Sequence, residues 1–125
     1  MIQDLIDEYL LRAERAATVD FTDKDSLREL NNSTDRMRVI AGEVASLGHA
    51  AIMAFTSLLD REPAALWAAH HLVEFAELDS ETLSRCFSRV EQAKIEAKKN
   101  GDFANAIGEE LWLKEWKAKK AVSEH

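Results

Sequence analysis

Apolar residues recur along this chain at three- and four-residue intervals, the period of an amphipathic helix. The first stripe is Ile2, Leu5, Ile6, Tyr9, Leu10, Ala13, Ala16 and Ala17, which predicts a helix from about Ile2 to Ala17. The segment VDFTDKD at 19–25 breaks it, and Thr22 with Asp25 three residues on resembles a helix start. A long second helix follows, from about Asp23 to Leu47, closed by Gly48. Leu27, Leu30, Thr34, Met37, Ile40, Ala41 and Val44 form its inner face; Asn31, Asn32, Asp35, Arg36, Arg38 and Glu43 fall mostly outside that arc and read as a solvated surface. Gly42, inside this helix, costs about 1 kcal/mol relative to alanine, a cost that a close helix crossing would explain.

The third helix, about His49 to Leu59, is apolar nearly all the way round, the mark of an element buried on most sides. The turn DREP leads into a fourth helix from about Pro63 to Ala76, with proline suited to the first turn because its missing N–H has no helical partner there. Asp79 or Ser80 starts the fifth, whose inner stripe is Leu83, Cys86, Phe87, Val90, Ala93 and Ala97. Gly101 stops it and Asp102 caps the sixth, which runs to about Lys120, leaving 121–125 as a frayed tail. Six short-linked helices with two apolar ones in the middle predict a single all-α domain built as a layered stack rather than a simple four-helix bundle.

Composition supports this reading. Four glycines and one proline in 125 residues leave few helix breakers. The net charge is −7, and most of the acidic excess lies in residues 1–60, with eleven acids to six bases. Nucleic-acid binding, which needs a basic face, is disfavoured, and a basic protein partner is the electrostatically easier expectation. Cys86 is the lone cysteine, so neither an internal disulfide nor a cysteine-based zinc cage is available, and its place on an inner stripe predicts a buried, inert thiol. The start, MIQDLIDEYL, has acids where a signal peptide needs bases, and no apolar run reaches the length of a membrane span. A cytoplasmic protein without a membrane partner is the expectation.

The stretch from Ile52 to Leu72, IMAFTSLLDREPAALWAAHHL, resembles one HEAT-type repeat. Leu58, Leu59, Asp60, Pro63, Ala68, Ala69 and Leu72 match its pattern: leucines ending one helix, an Asp-containing turn, then a helix with paired alanines and a leucine. The arginine that HEAT repeats commonly carry early in the second helix is replaced by Ala65. More widely, over about residues 30–76, the chain is similar to a bacterial family, domain of unknown function 2019 (DUF2019). The resemblance implies a HEAT-like α-α superhelix with a helix pair over about 49–76. It implies no activity, and such stacks bind proteins far more often than they catalyse.

The chemistry-bearing residues are few. In WAAHHLVEF, residues 67–75, Trp67, His71 and Glu74 share a stripe at i, i+4 and i+7, with Phe75 on the apolar half of the wheel. His70 and His71 point about 100° apart and do not grip one ion. No H-E-x-x-H, G-x-S-x-G, P-loop or dinucleotide fingerprint occurs, so no metal, cofactor or catalytic residue is expected. The structural reading packs His71 on Trp67 and hydrogen-bonds it to Glu74; the functional one makes these three a partner-binding edge.

In the last helix Phe103, Ile107, Leu111, Lys114 and Ala118 share one side, and Trp112 and Trp116 lie roughly opposite. The tryptophans are either covered by the first or fifth helix or form a dimer or partner surface. The expected function is a non-enzymatic protein-binding or adaptor module. The alternatives are an immunity- or antitoxin-like protein that captures a basic toxin, and a subunit that completes a homodimer.

Overall fold

A computed structural model describes residues 1–123 and places them in six α-helices, with no strand among the described residues. The helices are α1 (Ile2–Ala17), α2 (Lys24–Leu47), α3 (His49–Phe55), α4 (Ala65–Phe75), α5 (Ser80–Lys99) and α6 (Phe103–Ser123), with a 3-10 segment at Thr56–Asp60. Helix α6 continues to Ser123, and residues 124 and 125 of the expected frayed tail lie outside the described residues.

The local starts and stops follow from side-chain chemistry. Asp23, not Thr22, begins α2: its carboxylate accepts from the Asp25 N–H at 3.0 Å, while the Thr22 hydroxyl turns back to Asp20. Gly48, at φ 103°, closes α2 in a conformation that side chains rarely adopt. Asp79 caps α5 through the Thr82 N–H at 2.7 Å, and these bonds hold its carboxyl below the usual range. The expected third helix is two pieces. Thr56 and Ser57 donate their hydroxyls to the carbonyls of Met53 and Ala54, local bonds that compete with the helical ladder, and the chain tightens to 3-10. Pro63 lies in the turn before α4, where the Ala64 N–H donates to the Arg61 carbonyl.

Helix α1 packs on α2, the 3-10 segment on α4 and α5 on α6, while α3 lies against α2 and α1. Contacts of α2 and α5 with α4 join the pairs and make α4 the centre of the stack. Its Ala65, Ala68, Ala69, His71, Leu72 and Val73 are buried. The other expected central helix, α3, is buried on one side only: Ile52 and Phe55 face inward, whereas Ala50 and Met53 face solvent. Small and flexible side chains tolerate that exposure.

Tyr9, Met37, Ile40, Phe55, Leu58, Val73 and Val90 fill the core with no more than trace exposure. Arg36, expected on a solvated face, forms a two-pronged bond to Glu8 of α1, Nε to Oε2 at 2.7 Å and Nη2 to Oε1 at 2.9 Å. It holds the Glu8 carboxyl below the usual range and ties α1 to α2. Gly42 has nothing within 4 Å of an added Cβ, so no helix crosses closely there.

Candidate functional site

Helix α4 carries the candidate residues, and the stack divides them between layers. Trp67, His71 and Phe75 stand at i, i+4 and i+8, and their rings form one row: Trp67 to His71 at 6.1 Å and His71 to Phe75 at 5.9 Å between centroids. The outer rings are partly open, Trp67 at 36% and Phe75 at 38% of full exposure, while His71 beneath them is 3% exposed. The Arg38 guanidinium of α2 lies over the Phe75 ring at 5.2 Å. Phe75 thus belongs to the solvent edge and not to the apolar half of the wheel. On the wheel Trp67 and Phe75 each lie about 40° from His71, whereas Glu74 lies about 60° away.

Below the row, His71 Nδ1 lies 2.6 Å from the hydroxyl of Tyr9, a fully buried residue of α1. The Tyr9 ring meets Phe55 edge-on at 4.8 Å. With its proton on Nε2, the neutral imidazole accepts the phenol O–H at Nδ1. Burial, helped by the positive charge of Arg38 and by His70, pushes the His71 pKa down to about 4. Burial, helped by the Glu74 carboxylate, pushes the Tyr9 phenol far above its ordinary value. Both groups are therefore neutral at neutral pH. The hydrogen bond from His71 to Glu74 expected from the sequence is not formed: His71 pairs with Tyr9, and both Glu74 oxygens turn to Trp112 and Arg38.

Glu74 turns instead toward α6. Its Oε2 accepts from Trp112 Nε1 at 3.1 Å, and its Oε1 is 4.0 Å from Arg38. His70 turns the same way: Nε2 lies 2.8 Å from Glu109, and its ring meets Trp112 edge-on at 4.2 Å. Trp112 also faces Phe87 of α5 at 6.0 Å and Trp116 at 6.3 Å. Both tryptophans are half-buried and packed on the core. The rings are covered by α4 and α5, where the sequence pointed to α1 or α5. Consequently the other side of α6 faces water: Phe103, Ile107 and Leu111 are 61, 56 and 61% exposed.

The two histidines diverge and share no ligand position. Among the described residues no three His, Cys, Asp or Glu side chains gather where they would hold a metal ion. Cys86 is fully buried, and burial pushes its thiol up to about 12. Among the described residues no helix is long and apolar enough to cross a membrane. A groove of about 710 Å³ runs along α5, lined by Ser84, Ser88, Glu91 and Ile95, and includes no residue of the aromatic row.

Sequence reasoning missed Tyr9, Arg38 and Phe75 as members of this site. Tyr9 carried a usable signal, since a buried phenol needs a partner for its hydroxyl. Phe75 carried another in its four-residue spacing from His71. The chain matches no family model, no curated protein and no solved structure with which it was compared.

Proposed function

We propose that this protein is a non-enzymatic protein-binding module that docks its partner on the aromatic row of α4. One observation carries the reading: Trp67 and Phe75 are partly exposed rings on either side of a histidine that is locked from below by Tyr9. Rings fixed in place before contact bury a large area at low entropic cost, which is what an interface anchor requires. Arg38 and Glu74 beside the row supply polar groups for a rim. The net charge of −7 favours a basic partner and steers its approach.

The proposal includes the HEAT-like reading of the stack and, with it, the resemblance to domain of unknown function 2019. In support of it, Leu58, Leu59, Ala68, Ala69 and Leu72, the residues that the repeat pattern requires to be apolar, are all buried.

The test is capture from the native host's lysate with wild type and the Trp67→Ala/Phe75→Ala variant as baits, read by mass spectrometry after circular dichroism has shown both to be folded. A protein retained by wild type, released by about 0.5 M salt and lost from the variant supports the reading, because charge steering weakens as salt screens it. Identical captures by both baits refute it.

A further inference from the structure

The outer face of α6 is a second apolar surface, on the side of that helix away from Trp112 and Trp116. Phe103, Ile107 and Leu111 are each more than half exposed and lie one turn apart, along about 12 Å of helix. Single exposed apolar residues are ordinary, but a contiguous row of three large ones marks a contact surface. The face continues through Lys114, Ala118 and Ala121, which are also exposed. Positions 107, 111, 114, 118 and 121 then follow the alternating four-and-three spacing of a helix-pairing seam.

Two gradients run along this seam. Large side chains occupy its N-terminal half, and alanines with one lysine occupy its C-terminal half. Residues 102–113 carry three acids and no base, whereas 114–123 carry four bases and one acid. A second α6 laid parallel sets large on large and like charge on like. Laid antiparallel, it sets large on small and acid against base along the whole helix.

We propose that the occupant of this face is a second copy of the chain, packed antiparallel about a two-fold axis that crosses α6 near residues 112 and 113. In that register Ile107 meets the partner's Ala118, Leu111 lies on the aliphatic stem of the partner's Lys114, and Phe103 covers the partner's Ala121. Glu110 lies beside the partner's Lys117, and two-fold symmetry makes each contact twice. The alanines allow the helix axes to approach closely, and the charges set direction and register. The proposed contacts use no residue of the α4 row, so this inference does not depend on the binding function.

Sedimentation velocity of the full chain from about 1 µM to about 1 mM tests the association. A concentration-dependent monomer–dimer equilibrium is expected, weakened at least about tenfold by Leu111→Glu. That site is exposed, so the thermal midpoint of the dilute variant stays at the wild-type value. Glu110→Lys and Lys117→Glu each weaken the dimer, and the double exchange restores it. Orientation is read by disulfide formation in a Cys86→Ala background: Ile107→Cys mixed with Ala118→Cys crosslinks faster than either protein alone. A monomer throughout the range, a dimer indifferent to Leu111→Glu, a charge exchange without rescue, or faster crosslinking of Ile107→Cys with itself overturns the proposal.

Discussion

The hydroxyl of Tyr9 and Nδ1 of His71 sit 2.6 Å apart across 62 positions of sequence, joining the first helix to the central one inside the core. The pair fixes the histidine under two partly exposed aromatic rings and leaves it almost no exposure to water. It is a structural bond at the base of a surface feature. Removing the phenol oxygen leaves a buried imidazole nitrogen unpaired. Tyr9→Phe is expected to destabilise the fold by about 1–3 kcal/mol, the cost of an unsatisfied buried polar atom. Urea unfolding at pH 7 measures it, and an effect under about 0.5 kcal/mol would show that water replaces the hydroxyl.

The same pair predicts a pH dependence. His71 has a folded pKa of about 4, below its ordinary 6.5. Between those values the unfolded chain binds a proton that the folded chain refuses, so stability falls as the pH drops from 6.5 toward 4. Its loss is of order 3 kcal/mol when complete. Lowered carboxylates such as Glu8 and Asp79 add their own loss only as the pH falls through the carboxylate range. The two windows therefore separate. Urea midpoints measured between pH 7 and 5 are expected to fall for wild type and to fall much less for His71→Gln. Parallel curves for the two proteins would place His71 in contact with solvent.

What the sequence disclosed was set by period. Five of the six helices appear within three residues of their expected bounds, because a stripe such as Ile6, Tyr9, Ala13 and Ala16 has one burial solution. The exception, His49–Leu59, has no polar face to mark its path, and the hydroxyls of Thr56 and Ser57 decided its end. Partners across helices were not legible. Glu74 stands three residues from His71 on its own helix, yet its carboxylate accepts from Trp112, a partner that only the packing of α6 supplies. The same indeterminacy applied to α6, where both sides hold large apolar residues. Trp112 and Trp116 won the inner position because the indole N–H finds Glu74 and the rings find His70 and Phe87.

The inner position of Trp112 gives a contrast between tryptophans. Trp112→Ala removes a ring that joins α4, α5 and α6 and leaves Glu74 without its indole donor, so a loss of about 3 kcal/mol is expected. Trp67→Ala removes a ring already open to water on one side and costs less, about 1–2 kcal/mol. Thermal or urea unfolding ranks the two. An inverted order would mean that α6 docks weakly and that the α4 row is itself part of the core.

Gly42 and Gly108 lie within helices, and an added methyl group meets nothing within 4 Å at either. Alanine at each restricts the unfolded chain and adds no strain to the folded one. Gly42→Ala and Gly108→Ala are each expected to stabilise by about 0.5–1 kcal/mol, and together nearly additively. Urea titration of the single and double variants checks both size and additivity. Destabilisation by Gly42→Ala would reveal a close neighbour of α2 in solution.

Cys86 reports on the integrity of this stack. Its sulfur is fully buried on the inner side of α5, and burial pushes the thiol up to about 12, so the native protein holds very little thiolate at pH 8. Reaction with a chromogenic disulfide reagent at pH 8 is therefore expected to be slow in buffer and complete within minutes in denaturing urea. Because the sulfur is fully buried, the native rate should follow the opening equilibrium and rise in Trp112→Ala by the same factor as the stability loss. A fast native reaction that ignores Trp112→Ala would instead require a local route to the sulfur that leaves the stack closed.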